Sequence, residues 1–248
     1  MPISVDIKKL FEAGAHFGHK TSRWNSSMRD YIHSDRDGIH IINLEKTATL
    51  LEEALQAITK TVAGGKQVLI VGTKRQTKPV VQHIAKETGQ PYVCERWLGG
   101  LLTNSQTMNE RVKHLVSLEE QLASGQLESR YSKLEVQRFE EEVAKLNTNL
   151  GGVKEMQGNP GLVIALDAVT NDLALREANR LKIPTVALLD SNADAKLATL
   201  PVPCNDDSIA VLNLIAEYII DAIKEGKSKS AKKSADAEAK VETDTPEA

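Results

Sequence analysis

The segment Arg96-Trp97-Leu98-Gly99-Gly100-Leu101-Leu102-Thr103-Asn104 joins two different kinds of sequence. A short apolar run at 91–94 precedes it and predicts a strand, and about forty residues of helical character follow it. The adjacent glycines permit a sharp turn and a close approach of other groups to the backbone. Thr103 or Asn104 can cap the helix that follows. The segment therefore predicts a junction between a core strand and a long helical region.

The same segment carries groups that suit nucleic acid. Arg96 can hold a phosphate and Trp97 can stack on a base, while Gly99 and Gly100 leave room for a backbone to approach. The competing interpretation is a structural turn whose tryptophan packs in the core, because glycine-rich turns and buried tryptophans are common. The segment alone leaves both interpretations open.

The region after the junction predicts a helical insertion. Apolar residues recur at a spacing of three and four, first at Met108, Val112, Leu115 and Leu122, and then at Val136, Phe139, Val143, Leu146 and Leu150. Glu119 breaks the first series once. Two heptad-like helices joined by a short loop at 124–126 predict an antiparallel coiled-coil hairpin over 104–149.

Short apolar runs alternate with helical segments through the rest of the chain. The runs 68–71, 91–94, 162–166, 185–189 and 197–202 predict strands, and the segments 44–63, 79–88, 170–181 and 208–224 predict helices. Repeated strand–helix units with apolar strands predict an α/β fold, in which helices flank a parallel sheet of about five strands. We expect a single domain over 1–226 that contains the 104–149 insertion.

The first 42 residues predict a helix at 3–15, a loop at 16–25 and a β-hairpin whose strands, 31–33 and 39–42, flank an Asp-Gly turn. Five of these residues suit RNA contact, namely Lys20, Arg23, Trp24, Arg29 and Arg36. A packed surface loop is the alternative. His16 and His19 alone are too few ligands for a metal site.

The loop that follows the 68–71 strand carries Lys74, Arg75 and Lys78 before a predicted helix, the position where doubly wound folds bind phosphate. It matches neither nucleotide-binding fingerprint. Asp167 and Asp190 follow two other strands and could together bind Mg²⁺, or could simply cap the loops after them. These features leave open a nucleotide- or Mg²⁺-dependent doubly wound enzyme as the alternative function.

Composition is that of an ordinary globular chain. Of 248 residues, 41% are hydrophobic and 26% are charged, and the net charge is −3. Residues 1–111 carry 15 Lys and Arg against 11 Asp and Glu, whereas residues 112–226 carry 11 against 18. This asymmetry predicts an anionic partner on the N-terminal side.

Several segments bear on location and order. No run of about 18 apolar residues predicts a membrane span, and the first residues show no targeting pattern. The two cysteines, Cys94 and Cys204, lie far apart, which is typical of a reducing compartment. We therefore expect a cytoplasmic protein. The tail 227–248 lacks aromatic residues and is expected to be disordered.

Six segments closely resemble one family. GAHFGHKTSRWN (14–25), IHIINLEKT (39–47), VGTKR (71–75), RWLGGLLTN (96–104), NLGGVKEM (149–156) and PVPCNDDSI (201–209) resemble, in order and spacing, the bacterial-type form of the second small-subunit ribosomal protein family. That family has a flavodoxin-like sheet with a coiled-coil hairpin, which agrees with the fold predicted from the residues.

The resemblance implies a non-enzymatic protein of the small ribosomal subunit, without cofactor or metal. Such a protein would bind ribosomal RNA between head and body and help dock the large mRNA-binding protein built of OB-folds. The expected RNA-binding residues are Lys20, Arg23, Trp24, Arg29, Arg36, Lys74, Arg75, Lys78, Arg96, Trp97, Gly99, Gly100 and Asn104. Two alternatives stay open: the enzyme described above, and an adaptor whose hairpin binds another protein.

Overall fold

The computed structural model describes residues 3–242, with side chains throughout except for Glu128 and 232–242. In chain order its helices and strands are α1 (Ile7–Ala13), β1 (Phe17–Lys20), β2 (Ile32–Arg36), β3 (Ile39–Ile42), α2 (Leu44–Ala63), β4 (Val68–Val71), α3 (Thr77–Thr88), β5 (Tyr92–Val93), α4 (Ser105–Ala123), α5 (Gln126–Arg130), α6 (Lys133–Leu150), β6 (Leu162–Ala165), α7 (Asp172–Arg180), β7 (Thr185–Leu189), β8 (Leu200–Pro203) and α8 (Ile209–Glu242). In residues 3–242, no helix combines the length and apolarity that crossing a membrane requires.

The predicted parallel sheet is confirmed. Its strands lie in the order β5-β4-β6-β7-β8, and every neighbouring pair is parallel. This is the flavodoxin-like order, in which the first strand of the sheet lies between the second and the third. All residues of β4, β6 and β7 are buried, because helices cover both faces of a parallel sheet.

The alternation of side chains along β4 shows how the two faces are filled. Val68 and Ile70 join the apolar cluster formed with α2, α3 and α8. Leu69 and Val71 join a second cluster that contains Trp97 and parts of α4 and α7. Successive residues of a strand point to opposite faces, so this four-residue strand contributes to both cores. The all-apolar run seen in the sequence follows from this arrangement.

A second, three-stranded sheet forms the N-terminal module, which we define as residues 16–42. β3 lies between β1 and β2 and pairs with both in antiparallel fashion. The hairpin of β2 and β3 was predicted, and Asp37 and Gly38 at its turn have φ values of 52° and 75°. The prediction of a loop for 16–25 was incomplete, since Phe17–Lys20 forms a strand. Pairing with β3 stabilises this strand despite the absence of alternating hydrophobic residues.

The insertion is helical, and the short helix α5 lies between its two longer helices, α4 and α6. His114 lies 3.5 Å from Glu142, and Glu119 accepts a hydrogen bond from Asn147, 28 residues further on. Both contacts join α4 to α6, and the coiled-coil arrangement of these helices stays a prediction. Glu119, which breaks the apolar spacing, also pairs with Lys154 at 2.7 Å. This ion pair explains why a glutamate, and not an apolar residue, stands at position 119 of the helical pattern.

The last helix continues beyond its predicted end near 224. Gly226 lies just beyond the predicted end, and a Cβ at this glycine would lie 2.8 Å from the Cβ of Val62. Gly226 therefore allows α8 to pack closely on α2, and the helix runs on to Glu242. The expected disordered tail, 227–248, thus begins as a helix, and its residues 243–248 lie outside the described residues.

Candidate nucleic-acid interface

Three antiparallel strands hold two of the predicted RNA-binding cations in register. Lys20 ends β1 and Arg36 ends β2, and each pairs with Ile39 of the central strand. Cross-strand neighbours point to the same face, and neighbouring strands lie about 4.8 Å apart. The backbones of Lys20 and Arg36 are therefore about 10 Å apart on either side of Ile39. Both residues are exposed.

The turns of the module add two more cations and an indole ring. Arg23 lies in the 3-10 turn Thr21–Arg23 and Arg29 in the 3-10 helix Ser26–Tyr31. Trp24 is 41% exposed, and its ring centroid lies 5.3 Å from that of His40. Within residues 3–242, neither arginine forms an ion pair, nor do Lys20 and Arg36. The module thus presents four free cations beside an exposed aromatic ring.

Backbone and side-chain contacts fix the module to the C-terminal edge of the parallel sheet. The amide of Asn25 donates to the carbonyl of Ser191 at 2.8 Å. His19 Nδ1 lies 2.9 Å from a carboxylate oxygen of Asp190. A Cβ on Gly18 would lie 2.9 Å from Ser191 Oγ, so glycine is required at this close approach. The position of the four cations relative to the sheet is therefore fixed.

Lys74, one of the expected RNA-binding residues, forms ion pairs with two carboxylates of the protein. Its Nζ lies 2.9 Å from Asp206 Oδ1 and 2.6 Å from Asp207 Oδ1. Asp206 is 1% exposed. The charge of Lys74 is thus satisfied inside the protein, which argues against its expected contact with RNA. No local sequence pattern predicts this pairing, since 132 residues separate Lys74 from Asp206.

The ionisation of this pair reflects its burial. Burial opposes the charge of Lys74, but hydrogen bonds from its ammonium group to Asp207 and Asp206 outweigh burial and raise the pKa of Lys74. For Asp206, burial and the negative charge of Asp167 raise the pKa to about 7, although Lys74 acts in the opposite direction. The carboxylates here hold a lysine inside the fold and repel further anions.

The other two cations of the 72–78 loop differ from each other. Lys78 forms an ion pair with Glu95. Arg75 is exposed, and within residues 3–242 it has no ion pair. Of the three cations predicted for this loop, Arg75 is therefore the one that remains available to an external phosphate.

The 96–104 loop also divides into inward and outward residues. Trp97 is 7% exposed, and its Nε1 donates to Glu177 at 3.1 Å. The prediction that Trp97 stacks on a base therefore disagrees with its burial, and the alternative of a core tryptophan is confirmed. Arg96 and Gly99 are exposed. Gly100 has a φ of 88°, which favours glycine.

Asn104 directly precedes α4 but does not cap it in the expected way. Its side chain makes no capping bond to the helix backbone and instead accepts from the hydroxyl of Thr107 at 3.1 Å. The residue remains exposed beside the loop. Its expected role at an RNA surface thus stays a prediction, as do those of Arg96, Gly99 and Gly100.

The two aspartates of the enzyme alternative have separate structural roles. Asp167 accepts from the amides of Val169 at 2.8 Å and Thr170 at 3.2 Å, and from the hydroxyl of Thr170. The capping interpretation of Asp167 is therefore confirmed. Asp190 accepts from the amides of His19 and Ser191 and also pairs with the ring of His19. The negative charges of Asp167 and Asp190 also act on Asp206, so this edge of the sheet disfavours an anionic nucleotide.

One group of side chains could hold a metal ion. Ligand atoms of His19, Asp190 and Asp207 all lie within 4.8 Å of one another. An imidazole and two carboxylates suit a divalent ion such as zinc. The sequence analysis paired His19 with His16, and Asp190 with Asp167, as possible metal ligands. It did not predict this group, because 171 residues separate His19 from Asp190.

The comparisons of this chain with known proteins all point to the same family. A family model described as ribosomal protein S2 matches residues 10–226. Small ribosomal subunit protein uS2 of Roseiflexus castenholzii is 46% identical over 232 residues, which are 94% of this chain and 88% of the relative. The protein of the same name from Chloroflexus aurantiacus is 46% identical over 226 residues, 91% of this chain and 94% of the relative. The one from Fusobacterium nucleatum is 41% identical over 222 residues, 90% of each.

Proposed function

The chain belongs to the ribosomal protein S2 family, and we propose that, as a structural constituent of the small ribosomal subunit, it binds ribosomal RNA through its N-terminal module. The observation that carries this proposal is the set of four exposed cations without ion pairs in the described residues, Lys20, Arg23, Arg29 and Arg36. Their fixed spacing suits a sugar–phosphate backbone, and Trp24 beside them suits a base or ribose.

The binding energy in this proposal is mainly electrostatic. Each cation that meets a phosphate releases condensed counterions, so affinity falls as salt rises. Phosphate contacts position a protein without reading sequence, so the shape of the folded RNA selects the site. Arg75 and the outward residues of the 96–104 loop extend the same kind of contact along the sheet edge. The protein then acts in the cytoplasm, where translation takes place, and performs no chemical step.

The test is binding to small subunits from which this protein has been removed. The variant Lys20→Gln/Arg23→Gln/Arg29→Gln/Arg36→Gln should flatten the slope of log affinity against log salt by about 3 for four lost phosphate contacts. A matched control removes four exposed cations from α1, α2 and α3, namely Lys8, Lys9, Lys60 and Lys86. An equal loss in both variants would mean that only overall charge matters and would contradict the proposal.

The position between head and body and the docking of the mRNA-binding OB-fold protein are the finer parts of the proposal. An exposed aromatic patch supports a protein partner. Phe11 is 61% exposed and Phe17 is 49% exposed, and the ring of His16 lies between them at centroid distances of 4.6 and 4.0 Å. Exposed apolar groups of this kind mark protein contacts.

The partner contact can be separated from RNA binding. Phe11→Ala/Phe17→Ala should reduce the amount of OB-fold protein retained on reconstituted small subunits, while incorporation of the variant itself stays unchanged. Leu134→Ala, which removes an apolar side chain that is 61% exposed on α6, is the control and should change neither quantity. Full retention of the OB-fold protein by the double variant would rule out this patch as its dock.

A further inference from the structure

Glu177 of α7 is a buried carboxylate whose hydrogen bonds all come from the 96–104 loop. Its Oε1 accepts from Trp97 Nε1 at 3.1 Å and from the amide of Gly100 at 2.8 Å. Its Oε2 accepts from the amides of Leu102 and Thr103 at 3.1 and 3.2 Å, and from the hydroxyl of Thr103 at 3.1 Å. Residue 177 is 6% exposed. Within the described residues, no cation pairs with this carboxylate.

Convergent backbone amides of this kind form an anion-binding nest. In phosphate-binding loops the nest faces outward and holds a ligand. Here the nest of Gly100, Leu102 and Thr103 faces inward and holds the protein's own carboxylate. The loop therefore has no free nest for a phosphate on this side. Its amides instead set the shape of the loop.

The same contacts determine what the loop shows to solvent. With Trp97 and the nest held inward, Arg96, Gly99, Thr103 and Asn104 remain exposed. Gly99 lies over α7, where a Cβ would be 3.8 Å from a methyl group of Leu173, and Leu173 is itself 44% exposed. The outer side of the loop thus combines the exposed guanidinium of Arg96, the exposed backbone of Gly99 and the apolar side chain of Leu173 beneath it.

We propose that Glu177 is the positioning residue of a second RNA contact, in which the outer side of the 96–104 loop receives a sugar–phosphate backbone. Arg96 holds a phosphate, and the bare backbone at Gly99 lets a ribose approach the side chain of Leu173. Glu177 touches no RNA and acts through the loop. This inference rests on the proposed function, because it assigns a further contact to the same RNA-binding role.

Glu177→Gln tests the positioning role, since it keeps the size of the side chain and replaces one acceptor oxygen by a donor. Hydrogen exchange of the full chain should show at least about tenfold faster exchange at Gly100, Leu102 and Thr103, because their acceptor is weakened or lost. Affinity for depleted small subunits should fall by a similar factor under conditions where thermal melts show the variant to be folded. The slope against salt should stay unchanged, because no RNA-contacting cation is removed.

Two further variants identify the cause. Glu52→Gln is the matched control, because Glu52 also accepts from a backbone amide, that of Val5 at 2.9 Å, away from the loop. It should leave loop exchange and affinity unchanged. Arg96→Gln should keep the slow exchange of the loop but flatten the salt slope by about 1. Should Glu177→Gln fail to fold, Glu177→Asp, which keeps the charge and withdraws the carboxylate, takes its place in the same measurements.

The outcomes separate this inference from the proposed function. Unchanged exchange in the Glu177 variant would overturn its positioning role. Faster exchange with unchanged affinity, together with an unchanged Arg96→Gln variant, would overturn the loop as an RNA contact and leave the N-terminal module intact. Only a failure of the four-cation variant of that module would overturn the proposed function itself.

Discussion

The N-terminal module and the C-terminal edge of the parallel sheet carry the same residue types and use them in opposite ways. Each offers cations and one tryptophan. In the module, Arg23 and Trp24 are exposed. At the sheet edge, Lys74 pairs with buried Asp206, and Trp97 packs in the core. Local composition therefore does not decide whether a cation and an indole face a ligand or the protein itself.

The difference follows from what the fold places opposite each group. The module is a three-stranded sheet at the margin of the domain, so its cations have solvent on one side. Lys74 follows β4, a central strand, and it pairs with Asp206 and Asp207, which follow β8 at the far edge of the same sheet. Parallel sheets collect the ends of distant strands at one edge, so charges there tend to find internal partners. The predictions below test this contrast.

Replacing each of the two tryptophans by alanine should give the largest difference in stability between the two regions. Trp97→Ala removes a buried ring and a donor to Glu177 and should lower the free energy of unfolding by about 3 to 5 kcal/mol. Trp24→Ala should lower it by less than about 1 kcal/mol and should instead weaken binding to depleted subunits about tenfold. Urea unfolding and subunit binding measure both quantities. Equal stability losses would remove the contrast between the two regions.

Lys74 and Arg75, two adjacent cations of the 72–78 loop, test the same contrast between paired and exposed charges. Lys74→Met leaves the buried Asp206 unpaired and should cost about 3 kcal/mol of stability. Arg75→Met changes an exposed cation and should shift stability by no more than about 0.5 kcal/mol while flattening the salt slope of binding by about 1. A stable Lys74→Met protein with a flattened slope would show that Lys74 is available to RNA after all.

The pH dependence of stability should report the buried carboxylate. The pKa of Asp206 is raised to about 7 in the folded state from 3.8, so its contribution is fully present below pH 3.8 and is lost as pH rises through about 7. Relative to Asp206→Asn, the wild-type protein should lose on the order of 2 to 4 kcal/mol across this window. A difference that stays constant with pH would contradict the burial of an ionisable Asp206.

Elements with a local signal were predictable from sequence. The predicted helix 44–63 is confirmed at both ends. Its local signals are the capping residue Asn43 and the helical spacing of its apolar residues. The strand at 68–71 is confirmed by its apolar run. In contrast, β1 forms because it pairs with β3, which lies further along the chain. The last helix continues past Gly226, and this glycine allows it to pack closely on α2. Local patterns do not record such contacts.

The candidate site was predictable in part for the same reason. Exposure of Arg23 and Arg36 agrees with their position among turn residues and polar neighbours. The pairings of Lys74 with Asp206 and of Trp97 with Glu177 join residues 132 and 80 positions apart. The order of the strands and the packing of α7 on the sheet bring these groups together. A carboxylate such as Glu177, placed within an ordinary helical pattern, gives no sequence signal of its role.

Amine-reactive footprinting of the free protein and of assembled small subunits tests the central claim most directly. We expect Lys20 to react in the free protein, to be protected in the subunit, and to react again after the RNA is digested. Lys74 should be unreactive throughout because it is paired and half-buried, and exposed Lys86 is the control that reacts throughout. Equal reactivity of Lys20 in the free protein and the intact subunit would contradict RNA binding by the N-terminal module.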